Sequence, residues 1–310
     1  MNGANPSNGS ASPDILYILS PSYSGSTLLT FLLATHPDIA TIGELKASAL
    51  GDISVYHCSC GALLTECGFW KQVKTGIQAL GGDLDFNDFG THFRRAPAYF
   101  RRLINLAVRS PAVAVPSNAL LKLAFGSRLN RILVQNDRLI QVISRVQNGR
   151  VFLDGSKDPE RLKQFLDRMG DRVKVLHLIR DGRGVTNSFM RHYQTTMPIA
   201  VKEIVKTNLA CNRVMEMVPK SNGLRLRYED FCKAPEASLA SIFRLAGLNP
   251  TPARRRSEPA EFHILGNAMR LEFGKPIKLD EKWRASLTPE DLRIFYSVAG
   301  DMNKDYGYSE

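Results

Sequence analysis

Short apolar runs alternate with amphipathic stretches along most of the chain. Residues 15–19, 151–153, 173–179 and 223–228 are short, rich in aliphatic and β-branched residues and bounded by turns, a pattern typical of buried strands. Helical patterns follow these strands at residues 28–34, after Asp158-Pro159, up to Arg191 and over 235–245. Strands separated by helices predict an α/β fold, with a P-loop-like central parallel sheet covered by helices on both faces.

Two segments of the chain, residues 1–13 and 89–147, differ from the rest in composition. Residues 1–13 are rich in Gly, Ser and Asn, and we expect a disordered tail, followed by a single domain over 14–310. Within that domain, residues 89–147 predict a helical insertion, divided into short helices by Pro97, Pro111 and Pro116. Its basic residues have two interpretations, an Arg-rich solvated face or a lid over the active site that contacts an amphiphilic or anionic acceptor, and the insertion is also a candidate for peripheral membrane contact. The basic residues between positions 89 and 136, a stretch without any acidic residue, are Arg94, Arg95, Arg101, Arg102, Arg109, Lys122, Arg128 and Arg131.

Composition narrows the class of protein. The 310 residues are 44% hydrophobic and 23% charged, as in globular proteins, and the formal net charge of +11 favours an anionic partner. Five cysteines are too few for a disulfide scaffold. Residues 15–37 lack Asp, Glu, Lys and Arg, but the hydroxyl side chains in their middle argue against a membrane span. No basic flank of a signal peptide precedes them, so we expect a soluble, cytoplasmic protein.

The loop after the first predicted strand has the features of an anion cradle. Its sequence, SPSYSGST over residues 20–27, joins a strand to a helix through small residues, so backbone N–H groups at the helix start can face a ligand. Hydroxyls of Ser24, Ser26 and Thr27 add donors. Compared with the nucleotide-triphosphate pattern GxxxxGK[ST], Ser20 replaces the first glycine and Ser26 replaces the lysine. The missing lysine argues against magnesium-dependent use of ATP or GTP.

Residues 21–29, PSYSGSTLL, resemble the 5′-phosphosulfate loop of sulfotransferases that use 3′-phosphoadenosine 5′-phosphosulfate (PAPS), with Tyr23 where that family has an arginine. The continuation to Gly43-Glu44 is similar to that of tyrosylprotein sulfotransferases, in which a glutamate at this distance is the general base. The resemblance therefore implies that Glu44 is catalytic. It also implies that the cofactor is bound by Ser22, Tyr23, Ser24, Gly25, Ser26 and Thr27.

A second element, residues 178–188, resembles the family's 3′-phosphate motif. Arg180 leaves the carboxyl end of a predicted strand and Ser188 lies two turns into the next helix, so both can converge on one anion, with Arg183 as a further candidate.

Three further segments resemble the same family. Residues 155–159 resemble the segment that supplies a catalytic lysine, which implies that role for Lys157. Arg227-Tyr228-Glu229-Asp230 matches the element whose tyrosine, here Tyr228, lines the adenine pocket. Residues 262–270 are similar to a loop that closes over the nucleotide in bacterial relatives, which implies cofactor contacts for Gly266, Asn267 and Arg270.

Together these residues predict a PAPS-dependent sulfotransferase of the EC 2.8.2 type. Glu44 would remove the proton of a hydroxyl acceptor, which we expect to be a small molecule, lipid, glycan or peptide rather than nucleic acid, and no metal is required. The alternatives are a P-loop-type nucleotide kinase or NTPase, and a non-enzymatic basic module that binds nucleic acid or a membrane surface. The acceptor and the oligomeric state stay open.

Other candidate residues are less informative. We expect His36 to cap a helix end and His177 to be a core residue rather than a base. The sequence His57-Cys58-Ser-Cys60, with Cys67 nearby, predicts a zinc site, a redox-sensitive disulfide or a structural loop. A similar cysteine segment in bacterial sulfotransferases favours the structural loop, and we assign no metal ligand.

Overall fold

The central element is one parallel sheet of five strands. The computed structural model describes residues 12–47, 50–93, 111–251, 258–266, 268–271 and 276–309. The strand order is β2-β3-β1-β4-β5, so β1 lies at the centre between two strands that come much later in the chain. The strands are β1 (Asp14–Leu19), β2 (Ile39–Thr41), β3 (Val151–Asp154), β4 (Val173–Ile179) and β5 (Gly223–Arg227).

Helices cover both faces of this sheet, which confirms the predicted fold class. Among the described residues they are α1 (Ser26–Ala34), α2 (Gly68–Ala79), α3 (Pro111–Val146), α4 (Pro159–Met169), α5 (Gly182–Tyr193), α6 (Met197–Met215), α7 (Tyr228–Lys233), α8 (Pro235–Leu245), α9 (Trp283–Ser286) and α10 (Pro289–Asp305). None of the helices in this part of the chain combines the length and apolarity needed to cross a membrane.

Strand β1 shows why a continuous apolar run forms a central strand. Ile15, Tyr17 and Leu19 point into one hydrophobic cluster, while Leu16 and Ile18 point into the cluster on the opposite face. All five side chains are fully buried. Because side chains alternate between faces with a period of two, a strand covered by helices on both sides must be apolar at every position.

Within the region expected as a helical insertion, the described residues 111–146 form one long helix rather than several short ones. α3 continues through Pro116, so the expected helix break there is wrong. Pro116 is the sixth residue of this helix, beyond the first turn in which proline is tolerated without cost, and the helix continues past it although one intrahelical hydrogen bond is lost. Gly76 of α2 lets the two helices approach closely, since a Cβ there would lie 2.6 Å from Cγ1 of Val142 on α3. Pro97 and the five arginines at positions 94–109 lie outside the described residues.

A buried ion pair ties the end of β3 to α4 and α3. The guanidinium of Arg161 donates to Asp154 Oδ2 at 2.7 Å, to the carbonyl oxygen of Thr91 at 2.9 Å and to Asn136 on α3. Both charged side chains are essentially inaccessible to solvent. Since three separate segments meet at one guanidinium, this contact fixes the end of β3.

Candidate active site

The carboxyl ends of all five strands meet at one edge of the sheet, and each end leads into a residue predicted to function. In chain order, they lead to the loop before α1, to Glu44, to Lys157, to Arg180 and to Tyr228. Ligands of open α/β sheets bind at this edge, next to the point where the strand order reverses. Here that point lies beside β1, the strand that leads into the serine-rich loop.

The serine-rich loop ends in a helix N-terminus that no side chain caps. Tyr23 and Gly25 adopt left-handed backbone conformations with φ of 67° and 84°, which turn the chain sharply into α1. The first turn of α1 has no side-chain cap and no acidic residue. Its first N–H groups therefore keep their partial positive charge for an external acceptor, as phosphate-binding helices require.

Tyr228 packs directly against this loop. A Cβ on Gly25 would lie 2.5 Å from Cδ2 of the tyrosine ring, so only glycine fits there. The Tyr228 hydroxyl donates to the carbonyl oxygen of Lys278 at 3.3 Å, and burial raises the pKa of this phenol. The Ser24 hydroxyl is buried and has no hydrogen-bond partner among the described residues, whereas Ser22 is exposed and Thr27 half-buried.

Glu44 and Lys157 form an ion pair beside the loop. Lys157 Nζ donates to Glu44 Oε1 at 2.5 Å, and both side chains keep partial contact with solvent. They line a small cleft together with Ser26, Thr27 and Thr30, which lie in the first turns of α1. Lys157 has a φ of 60°, a costly conformation for a non-glycine residue that commonly occurs at functional sites.

The turn that carries Lys157 is anchored on both sides. The Ser156 hydroxyl donates to Asp154 Oδ1 at 2.5 Å and accepts the Lys46 N–H at 2.8 Å. The Tyr17 hydroxyl donates to the carbonyl oxygen of Asp158 and accepts its N–H, and the Lys46 ammonium pairs with the Asp158 carboxylate at 2.9 Å. These contacts hold the strained backbone of the turn in place.

Arg180 lies against the serine-rich loop and is held by three groups. It donates to the carbonyl oxygens of Tyr23 at 2.8 Å and Asp280 at 2.7 Å, and its guanidinium lies 4.6 Å from the centre of the Tyr228 ring. Burial opposes ionisation of Asp280, but the Lys282 N–H and Arg180 outweigh burial and lower the pKa of the Asp280 carboxyl. Asp280 had no signal in the sequence, because an isolated aspartate in a polar stretch resembles any exposed carboxylate.

Ser188 approaches the same place from the next helix. Its hydroxyl donates to the carbonyl oxygen of Gly184 at 2.9 Å, and a Cβ on Gly184 would lie 3.2 Å from Nε of Arg180. Arg180 and Ser188 therefore flank one glycine. Arg183, in contrast, uses its donors on Asp181, the Tyr296 hydroxyl and the carbonyl oxygen of Ser309, so its contacts are with the C-terminal segment.

The segment before Asn267 lies on the Glu44 side of the sheet edge. Leu265 donates its N–H to the carbonyl oxygen of Ile42 at 2.7 Å, and a Cβ on Gly266 would lie 3.2 Å from Glu44 Oε1. Arg270 donates to the carbonyl oxygens of His57 and Gly266, both at 3.0 Å. Asn267 itself lies outside the described residues.

Tyr23, which replaces the family's arginine, faces α5. Its ring packs edge-on against Phe189 at 6.3 Å and lies 5.5 Å from the His192 ring, and burial raises the pKa of the Tyr23 phenol. The loop therefore has an aromatic side chain where the resemblance leads one to expect a cation.

The histidines considered as bases have other environments. His36 is buried, with Nε2 near the carbonyl oxygen of Asn249 and Nδ1 accepting the Asp38 N–H, and burial lowers its pKa. These contacts are not with the helix carbonyls that the cap prediction requires. His177 is fully buried in β4, and burial lowers its pKa to about 3, so it is neutral at physiological pH. Neither ring contacts Glu44 in the described part of the chain.

The three clustered cysteines come together with a different histidine from the one expected. Cys58, Cys60 and Cys67 gather around His263, whereas His57 is exposed and its Nδ1 lies 3.0 Å from the carbonyl oxygen of Val55. No disulfide joins these cysteines.

Comparisons with known proteins identify the fold. No protein-family model and no curated protein sequence matches the chain. The sulfotransferase domain of the Synechococcus PCC 7002 olefin synthase aligns with 97% of this chain and 98% of its own, at 18% identity and a TM-score of 0.54. A sulfotransferase domain of the curacin biosynthetic pathway aligns with 94% of this chain and 97% of its own, at 19% identity and a TM-score of 0.50. The chain therefore has the sulfotransferase fold.

Proposed function

We propose that this protein is a PAPS-dependent sulfotransferase that transfers a sulfuryl group to a hydroxyl acceptor. The observation that carries the proposal is the Glu44–Lys157 pair beside the uncapped N-terminus of α1. A carboxylate, an ammonium group and free helix N–H groups in one cleft supply a base, a cation and an anion site. The shared fold agrees with this activity, and the serine-rich loop, Glu44, Lys157, Arg180 and Tyr228 follow the carboxyl ends of the five strands at one sheet edge.

The residues at this edge fit a nucleotide with two phosphate groups. The N–H groups at the start of α1 and the unpaired Ser24 hydroxyl suit the 5′-phosphate, while Arg180 and Ser188 suit the 3′-phosphate. Tyr228, packed on Gly25 between these two places, would contact the adenine. When bound, PAPS supplies the activated sulfuryl group.

Two side chains would act on the acceptor and on the developing charge. Lys157 holds Glu44 Oε1, so we assign the acceptor proton to Oε2. The Lys157 ammonium balances negative charge at the mouth of the loop, where Tyr23 offers no cation. Ser26 replaces the lysine of nucleotide-triphosphate loops, and in the described part of the chain Lys157, beside Glu44, and Arg180, on the carbonyl oxygen of Tyr23, supply cations next to the loop.

Nucleotide binding tests the proposal without knowledge of the acceptor. Adenosine 3′,5′-bisphosphate should raise the melting temperature more than AMP does, and Arg180→Ala should remove most of the difference. If Arg180 contributes tenfold in affinity, the difference corresponds to about 1.4 kcal/mol at saturating ligand. The control Arg293→Ala, at an exposed arginine of α10, should behave as wild type. Equal stabilisation of the wild-type protein by both nucleotides contradicts the proposal.

Catalysis is tested at Glu44. Glu44→Gln should bind adenosine 3′,5′-bisphosphate as wild type does and lower turnover by about 10²–10⁴-fold, the usual contribution of a general base. Turnover is measured by incubating the purified enzyme with sulfur-labelled PAPS and an extract of the cells from which the protein comes, and by detecting the labelled sulfated products with mass spectrometry. Unchanged turnover would show that another group is the base.

Magnesium separates this activity from the alternative of a nucleotide kinase or NTPase. Under the proposal, transfer from PAPS is unchanged by a magnesium chelator, and ATP and GTP are not turned over. Magnesium-dependent hydrolysis of either triphosphate would favour the alternative. The acceptor class, a membrane contact through the insertion and a cytoplasmic location stay predictions from the sequence.

A further inference from the structure

Four potential metal ligands converge outside the catalytic cleft. The sulfur atoms of Cys58, Cys60 and Cys67 and a ring nitrogen of His263 all lie within 4.8 Å of one another. Nδ1 of His263 is 3.7 Å from Cys58 Sγ and 3.5 Å from Cys67 Sγ, and the sulfur atoms of Cys60 and Cys67 are 3.6 Å apart. The four ligands come from two segments about two hundred residues apart in sequence.

These separations match the edges of a tetrahedral zinc site. Zinc binds thiolate sulfur at about 2.3 Å and imidazole nitrogen at about 2.0–2.1 Å, so tetrahedral geometry places neighbouring donor atoms about 3.5–3.8 Å apart. The three separations given above fall in or next to this range. One imidazole nitrogen facing two thiols at similar distances is also better explained by a shared cation than by two hydrogen bonds, because Nδ1 of a neutral ring has either one N–H or one lone pair.

The surrounding backbone prearranges the ligands. Gly61, with φ of 89°, closes a tight turn after Cys58 in which Cys58 donates its N–H to the carbonyl oxygen of Ala62 at 2.9 Å. Cys67 is the residue immediately before α2. This hairpin and the helix start place three thiols on one side of a small space.

Hydrogen bonds and ring stacking also fix the position of His263. The Ser59 hydroxyl donates to the carbonyl oxygen of Phe262 and accepts the Ile264 N–H, both at 2.7 Å, so it holds the residues on either side of His263. The His263 ring stacks parallel to Phe69 of α2, with ring centres 4.3 Å apart. The side chain therefore points toward the thiols through contacts that need no metal.

We propose that Cys58, Cys60, Cys67 and His263 bind one Zn²⁺ ion in a closed structural site. Binding displaces the three thiol protons and leaves the imidazole neutral, so the site has a net charge of −1 and loses zinc as the pH falls. Four protein ligands leave no open position for a substrate, which sets this ion apart from the sulfuryl-transfer chemistry. The sequence had favoured a structural loop without a metal, because His57 was the histidine weighed as a ligand and His263 was not.

The ion would also stabilise the catalytic edge. Three residues after His263, Gly266 lies against Glu44, and Leu265 is hydrogen-bonded to Ile42 just before Glu44. A metal that joins the cysteine hairpin to this segment thus fastens one wall of the cleft.

Elemental mass spectrometry of protein purified without chelators tests the proposal. The wild-type chain should hold about one zinc ion, and Cys67→Ser and His263→Asn should hold little. The matched controls are His57→Asn and Cys232→Ser, a histidine and a cysteine outside the cluster, which should hold as much zinc as wild type. Wild-type protein that stays free of zinc after zinc loading, or a His263→Asn variant with full zinc content, would overturn it.

A measurement on the wild-type protein covers the case in which variants fail to fold. Cobalt(II) should give thiolate charge-transfer absorption and the intense visible bands of a tetrahedral site, and zinc should abolish both. In alkylation followed by mass spectrometry, zinc should protect Cys58, Cys60 and Cys67 while Cys232 reacts to the same extent with and without the metal. A Cys60–Cys67 disulfide in freshly purified protein, or octahedral cobalt absorption, would refute the site.

Discussion

The contact between Gly25 and Tyr228 allows a quantitative test of how the nucleotide loop is built. Replacing Gly25 by alanine adds one methyl group at a residue with φ of 84°, and that methyl would lie 2.5 Å from Cδ2 and 2.7 Å from Cε2 of Tyr228. No atom other than those of this ring is among the three nearest. The substitution therefore combines backbone strain with a clash against a single side chain.

The two costs can be separated by magnitude. A left-handed conformation costs a non-glycine residue about 1–2 kcal/mol. Forcing an extra methyl group into a packed site adds about 1–3 kcal/mol, so Gly25→Ala should lower the free energy of unfolding by about 2–5 kcal/mol. Loss of adenosine 3′,5′-bisphosphate binding should accompany it, because the ring must move away from the loop.

Urea unfolding with matched variants measures each part. Gly81 has φ of 68° and no atom within 4 Å of its virtual Cβ, so Gly81→Ala should show the strain alone, about 1–2 kcal/mol. In a Tyr228→Ala background, Gly25→Ala should cost no more than Gly81→Ala does. If Gly25→Ala in the wild-type background costs only as much as Gly81→Ala, the ring does not lie against the loop and the adenine site is elsewhere.

Three further predictions concern stability. Arg161→Met should cost about 3–5 kcal/mol in urea unfolding, because it leaves Asp154 charged and buried without its partner. His177→Leu should make the free energy of unfolding less dependent on pH. In the wild type the unfolded chain binds a proton at His177 below about pH 6.5, whereas the folded chain binds it only near pH 3. His177 therefore lowers the free energy of unfolding by about 2 kcal/mol between pH 7 and pH 5, and the leucine variant should lack this loss. Ser59→Ala should cost about 1–3 kcal/mol in the same assay, since it removes two buried hydrogen bonds, one to Phe262 and one from the Ile264 N–H, on either side of His263.

Each of these predictions has its own control. Adding Asp154→Asn to Arg161→Met should recover part of the loss, and no recovery would contradict the role of the unpaired charge. His57→Gln, at an exposed histidine, should leave the pH dependence unchanged, and an unchanged profile in His177→Leu would argue against the neutral buried ring. Ser54→Ala, at an exposed serine whose hydroxyl donates to Asp52 two residues earlier, should cost almost nothing.

The parts of the fold that follow from local pattern were predictable. Strand β1 is a continuous apolar run from Ile15 and β4 is apolar except at Lys174 and His177, and both end at turns, so their largely buried faces follow from the sequence. Strand β2 was missed, because three residues are too few to show a period. The helix break at Pro116 was predicted wrongly, since the lost hydrogen bond of one proline in the second turn does not end a helix of 36 residues.

The residues of the candidate active site that directly follow a strand end were predictable from the sequence. Because parallel strands end at the same edge, Arg180 and the serine-rich loop were expected to meet, and the structure places them in contact. The contact of Asp280 with Arg180 and that of His263 with the cysteines were not expected, because these partners lie about one hundred and about two hundred residues apart in sequence. Neither the charge of an isolated aspartate nor the ring of an isolated histidine shows which distant segment it will meet.

The central position of β1 has a consequence for synthesis of the chain on the ribosome. Asp14 of β1 pairs with Val151, and Ile15 pairs with Val173, so neither neighbour of the first strand exists until more than 130 further residues have been translated. Until then a fully apolar strand has two open edges, which is the situation that recruits chaperones and promotes aggregation. Nascent chains stalled before position 150 should therefore bind ribosome-associated holdase chaperones strongly. Chains released after β4 has left the ribosome should not.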